Sequence, residues 1–451
     1  MAPFTACILG PLRHNVVPAS AHTESADGLG RRVIEKEQEM DRYEYIIIGG
    51  GIASQRAVDG IRRADKEGSV ALISAEPHVP YQRPPLSKDY LRGEEGLDEV
   101  YLQGEDYYAE NSVELMTGTR VVALTPDDHR ITLADGRHLG YGKLLLATGG
   151  RANSLPLQGA DLPGVLTLRT IEDCHAIQEL AKEGKKAVVF GASFIGSEVA
   201  ASLTQMGLDV TMVYPEDRLW ERVVPEVVSQ TLQEIYAERG VRMLAGIVAD
   251  RLEGSDRLQR VVLKDGTVLD ADLLVMGVGI SLNTELAEMA GLELTGPKKA
   301  IVVDEELRTS APDIYAAGDI AAWPDRTFEQ RLRVEHWDVA RAQGLRAGRN
   351  MAGDVRAYTT LPYFFSDLFE VSFELWGSFE TWDQTLTRGE IGASGYAIYY
   401  FHEGRLTGVL SAGRPKGERK PMQSLVQARV HLEQVGDQLQ DEDTELASLV
   451  D

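Results

Sequence analysis

The chain has 451 residues, room for two or three domains, and its 43% hydrophobic content is ordinary for globular proteins. Its 46 Lys and Arg against 70 Asp and Glu leave a net charge of −24, which argues against a nucleic-acid partner, because such partners need a basic footprint. No apolar run approaches a membrane span, and two cysteines, Cys7 and Cys174, allow neither a disulfide framework nor a multi-thiolate metal site, so a cytoplasmic location and no metal are expected.

Residues 1–39 show scattered Pro and Gly, no sustained period, and no basic lead to their short apolar piece. They read as a disordered or mis-called N-terminal extension, with Met40 as the functional start. Regular structure begins with a strand at 45–48 (YIII), the turn Gly49-Gly50-Gly51, a helix over 53–64, and a strand over 70–74 that leads to Glu76. A second copy follows: strand 187–190 (AVVF), turn 191–196 (GASFIG), helix 196–206, and strand 210–214 leading to Glu216. Each copy then has an Asp-Gly hairpin turn, Asp135-Gly136 and Asp265-Gly266. Each also has a buried strand closing on glycine, 144–149 (LLLATG) and 273–277 (LLVMG). Repeated strand–helix–strand units predict an α/β fold with two tandem Rossmann-like domains. Past residue 358 aromatic residues and short strands (371–376, 396–401) take over, then helical spacing over 422–432, which predicts a smaller C-terminal α+β domain. Residues 433–451 hold seven acidic groups and no Lys or Arg, and read as a solvated, frayed tail. The expected parts are a first nucleotide domain at 40–165 and 300–357, a second at 166–299, a C-terminal domain at 358–432, and the tail.

A dinucleotide turn needs a tight bend after a strand, close backbone approach to a pyrophosphate, and a helix N-terminus aimed at its charge. Gly49, Gly51 and Ser54 meet this in the first copy, and Gly191, Ser193 and Gly196 in the second, where Gly277 and Gly279 complete the candidate site. Glu76 lies 22 residues past Ser54, and Glu216 lies 20 past Gly196. A carboxylate at that distance accepts both hydroxyls of an adenosine ribose and repels a 2′-phosphate. NADH over NADPH is therefore expected at the second site.

The strand LLLATG at 144–149, the pair Gly318-Asp319 after an apolar strand, and the two glycine turns together resemble the FAD-dependent pyridine-nucleotide oxidoreductase superfamily. Residues 80–89 (PYQRPPLSKD) resemble the flavin-loop signature of ferredoxin and rubredoxin reductases, apoptosis-inducing factor and monodehydroascorbate reductase, and 333–338 (RVEHWD) resembles the flavin-adjacent stretch of that group. The resemblance implies FAD at the first site and NADH at the second. It carries FAD contacts to Arg83, Lys88, Thr148, Gly149, Asp319, Glu335, His336 and Trp337, beside Gly49, Gly51, Ser54 and Glu76. It also implies that Lys88 sits beside the flavin, paired with Glu198, and these two are the expected catalytic residues. Arg341 and Trp376 are carried over as substrate contacts.

Disulfide reductases of this superfamily need two thiols close together beside the flavin. The flavin loop here offers Ser87 and Lys88, so a glutathione-reductase-like function is excluded, and Cys174 reads as a buried structural thiol. The expected activity is an FAD-dependent NADH oxidoreductase that passes electrons to a small-molecule acceptor, such as a monodehydroascorbate or quinone. The alternatives are a ferredoxin or rubredoxin reductase, for which Arg405, Arg414, Lys416, Arg419 and Lys420 are a candidate docking face, and a redox-sensing flavoprotein.

Overall fold

The computed structural model describes residues 40–392 and 395–450; the reading of 1–39, and Cys7 with it, lies outside them. Strand β1 (Asp41–Ile48) has its last four residues buried, as a strand covered on both faces requires. It pairs in parallel with β2 (Val70–Ile73) on one side and with His138–Leu146 on the other, so Ile48 stands between Ile73 and Leu146. Helix α1 (Ile52–Ala64) connects β1 to β2. Val113–Met116 extends the parallel edge, and Ile314–Ala316 adds a further parallel strand beside Leu144 to Leu146.

The second copy forms its own five-stranded parallel sheet around β3 (Lys186–Phe190) and β4 (Asp209–Val213), joined by helix α2 (Phe194–Gln205). The chain leaves this sheet earlier than the sequence suggests. Ile280–Leu282 pairs antiparallel with Gly150–Ala152, and Leu286, Ala287 and Leu292 join the core built around Ile46 and Leu145. The return to the first domain thus falls near 280 rather than 300, because the apolar residues of 282–292 find their partners there.

Helix α3 (Trp337–Met351) crosses α1 with the backbones almost touching. A Cβ on Gly344 would lie 2.1 Å from the carbonyl oxygen of Ala53, and one on Gly348 2.1 Å from that of Ala57. No larger residue fits either position.

The C-terminal domain is a five-stranded antiparallel sheet that begins with β5 (Tyr363–Leu368). The single helix expected over 422–432 is two helices, Arg419–Ala428 and Leu432–Gln440, separated where Arg429 takes a left-handed φ of 48°. The segment past residue 432 is also not frayed. Val435, Leu439 and Leu446 are buried, and Arg388, 2% exposed, donates to the carbonyls of Leu439, Asp441, Glu442 and Thr444. Those apolar positions and a distant arginine outweigh the acidic composition that suggested a solvated tail. Among the described residues no helix is long and apolar enough to cross a membrane.

Candidate functional site

The carboxyl ends of β1 and β3 open on one cavity of about 1090 Å³, the place where open α/β sheets bind ligands. Gly49 to Ile52 and Ser193 to Ile195 both line it, so the two repeated turns face a common space. The first turn lies against neighbouring backbone: Gly49, at φ +137°, has its Cβ position 2.1 Å from the Ala147 carbonyl oxygen. Gly51 faces open space, and the first turn of α1 carries no acidic residue to neutralise its N-terminal dipole. Ser54 is fully buried, with an unpartnered hydroxyl.

In the second turn the glycines interlock. A Cβ on Gly191 would meet the Gly277 carbonyl oxygen at 2.3 Å, and one on Gly196 the Gly191 carbonyl oxygen at 2.4 Å. Of this motif Ser193 and Gly277 line the cavity with Gly279, while Gly191 and Gly196 close the packing behind them. Glu216 stands past the end of β4, outside the cavity wall, with Arg222 3.9 Å away.

Glu76 faces the cavity and is held by the Tyr81 hydroxyl and by Arg83 at 2.7 Å. Arg83 also donates to the Arg169 carbonyl, and the Arg169 guanidinium pairs with Asp319 at 2.9 Å. Burial first, and then the positive charge of Arg83, lower the pKa of Arg169. Two guanidiniums on the wall of a cavity that also receives the N-terminus of α1 suit a diphosphate. The sequence reading missed Arg169, which sits in no motif and meets the site only through the return of the chain at 165–170.

Lys88 and Glu198 form the expected ion pair at 2.7 Å, with both residues buried. Thr148 and Asn283 exchange two hydrogen bonds that fasten the LLLATG strand end to the returning chain. Glu335 lines the cavity and pairs with Lys298 and Arg333, both at 2.6 Å. His336 caps α3, its Nδ1 accepting from the Asp338 N–H at 3.2 Å, and burial lowers its pKa to about 4. Its Nε2 faces the Phe365 N–H at 3.2 Å, so the ring is anchored between α3 and β5. Trp337 lines the cavity beside it.

Two carried-over residues stand elsewhere. Arg341 is turned to Asp338 at 2.8 Å on the outer side of α3, and Trp376 is buried under Tyr363, ring centroids 5.5 Å apart; neither lines the cavity. Strand position decides this for Trp376, which faces the core of the C-terminal domain. In its place the C-terminal domain contributes Phe364 and Phe365 from β5. Phe364 meets Phe194 of α2, centroids 4.0 Å apart, and Phe365 lies under the Lys88 ammonium. Only the aromatic richness of 360–410 hinted at these residues.

Cys174 is buried away from the cavity, its thiol pushed up to about 12 by burial and then by Asp173. Of the five residues of the basic face considered for docking, two are held in internal pairs: Arg414 with Glu418 and Glu442, and Arg419 with Glu374.

The family model described as pyridine nucleotide-disulphide oxidoreductase matches residues 43–344, and one described as reductase C-terminal matches 363–450. The chain belongs to the pyridine nucleotide-disulphide oxidoreductase family. As a member it is an FAD-dependent pyridine-nucleotide oxidoreductase that uses FAD and NAD(H), and the first turn, with its open Gly51 and the Arg83–Arg169 pair, fits the diphosphate of such a cofactor. It is 33% identical over 380 residues to the 5,5′-dehydrodivanillate O-demethylase ferredoxin reductase subunit of Sphingobium sp., covering 84% of this chain and 92% of that protein. It is 32% identical to a chloroplastic monodehydroascorbate reductase of Oryza sativa subsp. japonica, covering 82% and 79%. Its fold is similar to the solved covalent putidaredoxin reductase–putidaredoxin complex, with a TM-score of 0.85, 31% identity, and 91% and 98% of the two chains covered. Unlike the family's disulphide-reducing members, this chain brings no cysteine to the cavity among its described residues.

Proposed function

We propose that the protein is an NADH-dependent ferredoxin reductase: it takes electrons from NADH and delivers them to a small iron–sulfur protein. The observation that supports this best is the match to ferredoxin reductases across both the nucleotide-binding and the C-terminal parts of the chain. The single cavity shared by two nucleotide turns, with no thiol on its wall, agrees with it. When bound, FAD supplies the conversion between two-electron and one-electron transfer that no side chain provides.

The chain's own residues bind, orient and exclude water. In this reading Gly49, Gly51, Arg83 and Arg169 hold the FAD diphosphate, Asp319 orients Arg169, and Glu76 accepts the adenosine ribose. The second turn and Glu216 hold NADH, the carboxylate rejecting a 2′-phosphate. Lys88 places an ammonium at the reactive end of the cavity and Glu198 fixes its direction. Phe194 and Phe364 close the entry between α2 and β5 and keep water out.

The small-molecule acceptor expected from the sequence remains a second reading, favoured by the monodehydroascorbate reductase relative. A panel of acceptors, offered to the NADH-reduced holoprotein at two ionic strengths, separates the two. A [2Fe–2S] ferredoxin should be reduced fastest, at a rate that falls as salt screens the encounter. Fast, salt-independent turnover of a quinone or ascorbyl radical, with no ferredoxin reduction, would overturn the proposal.

A further inference from the structure

Glu198 is a buried carboxylate, 4% exposed, and its position is settled by three donors from two other parts of the chain. The Lys88 ammonium and the Ser366 hydroxyl both reach Oε1, at 2.7 Å each, and the Ser87 hydroxyl reaches Oε2 at 2.6 Å. Ser87 and Lys88 belong to the loop of the first domain, Glu198 to α2 of the second, and Ser366 to β5 of the C-terminal sheet. Ser87 and Ser366 are themselves buried, so neither hydroxyl has water as an alternative partner. Ser87 is fixed in turn by Ser202 of α2, whose hydroxyl donates to the Ser87 carbonyl at 2.6 Å.

An ion pair alone leaves a carboxylate free to rotate about its last torsion, which is a broad and soft one. A hydroxyl on each oxygen removes that freedom. With Ser366 and Lys88 on the same oxygen, the serine sets where Oε1 stands, and Oε1 sets where the ammonium stands. We infer that Ser366 is a positioning residue for Lys88, through which the C-terminal sheet controls how fast the cavity accepts electrons from NADH. This rests on the proposed role of the Lys88–Glu198 pair.

The test is a double-mutant cycle on the holoprotein, with Ser366→Ala, Glu198→Gln and both together. The readouts are the anaerobic rate of flavin bleaching by NADH and the flavin midpoint potential measured without NADH. Ser366→Ala should slow bleaching about tenfold and displace the potential, with FAD content unchanged, as expected when a positioning contact is lost. In the Glu198→Gln background the same substitution should change neither readout further. Thr407→Ala is the control, since its buried hydroxyl donates to the Tyr400 carbonyl within the same sheet, and it should leave both readouts at wild type. Additive losses in the double variant, or a wild-type rate and potential in Ser366→Ala while Glu198→Gln is slow, would overturn the inference and leave the role of the pair standing. A wild-type rate in Glu198→Gln would remove that role itself.

Discussion

In the first nucleotide turn the third motif position is a serine; Gly49 packs on the Ala147 carbonyl, and the glycines of α3 press on α1 from outside the turn. In the second turn the third position is Gly196, and the packing is internal, with Gly191, Gly196 and Gly277 stacked on one another. Their acids differ in the same way. Glu76 is held by Tyr81 and Arg83 inside the cavity, whereas Glu216 stands outside it with one loosely placed arginine. One sequence plan has thus produced one turn whose acid is held in the charged wall of the cavity and another whose acid stands outside it. On the proposed function, that difference suits a cofactor that stays and a nucleotide that comes and goes.

The largest effects should come from filling the glycine contacts. Gly348→Val drives a side chain into the Ala57 carbonyl and should cost more than about 3 kcal/mol, seen as a lower Tm and poor FAD retention. Gly196→Val should cost a similar amount while FAD stays bound in the folded fraction. If both variants lost FAD equally, the two turns would not be separate in their packing.

The pH dependence sharpens the first site next. His336 titrates near 6.5 when unfolded and near 4 in the fold, where burial disfavours its charged form. Its contribution is complete above about pH 6.5 and is lost as pH falls toward 4, by up to on the order of 3 kcal/mol. Denaturant titrations across that range should show this loss in the wild type and a flatter acid limb in His336→Asn.

Arg169→Ala removes one of the two guanidiniums and leaves Asp319 unpaired. FAD affinity should fall by about 2 kcal/mol, roughly thirtyfold, by fluorescence titration of the apoprotein. The corresponding change at the open site is smaller. Glu216→Ala should shift the NADH to NADPH ratio of kcat/KM by about tenfold toward NADPH. No shift would mean that Glu216 does not meet the ribose.

Much of this was legible in the sequence. The paired turns, the strands before them and the acids after them are local patterns, and each lies within a residue or two of its expected place, save that β1 starts four residues earlier. The Lys88–Glu198 pair was legible only through family resemblance. What stayed hidden depends on distant partners. Arg169 and Ser366 belong to no motif, and their roles exist only because the chain returns to the cavity from 165 and again from 363. The ordered end past residue 432 was hidden for a related reason: its acids dominate the composition, while Arg388, which fastens it, lies in a strand about fifty residues earlier.

Both nucleotide turns line one cavity, and on the proposed function electrons leave it without a thiol store. Anaerobic reductive titration of the holoprotein tests this most directly, by counting the electrons taken up as the flavin absorbance bleaches. Two electrons per FAD are expected, with a single NADH sufficing for complete bleaching. Uptake of four electrons per FAD would reveal a second redox pair and contradict it.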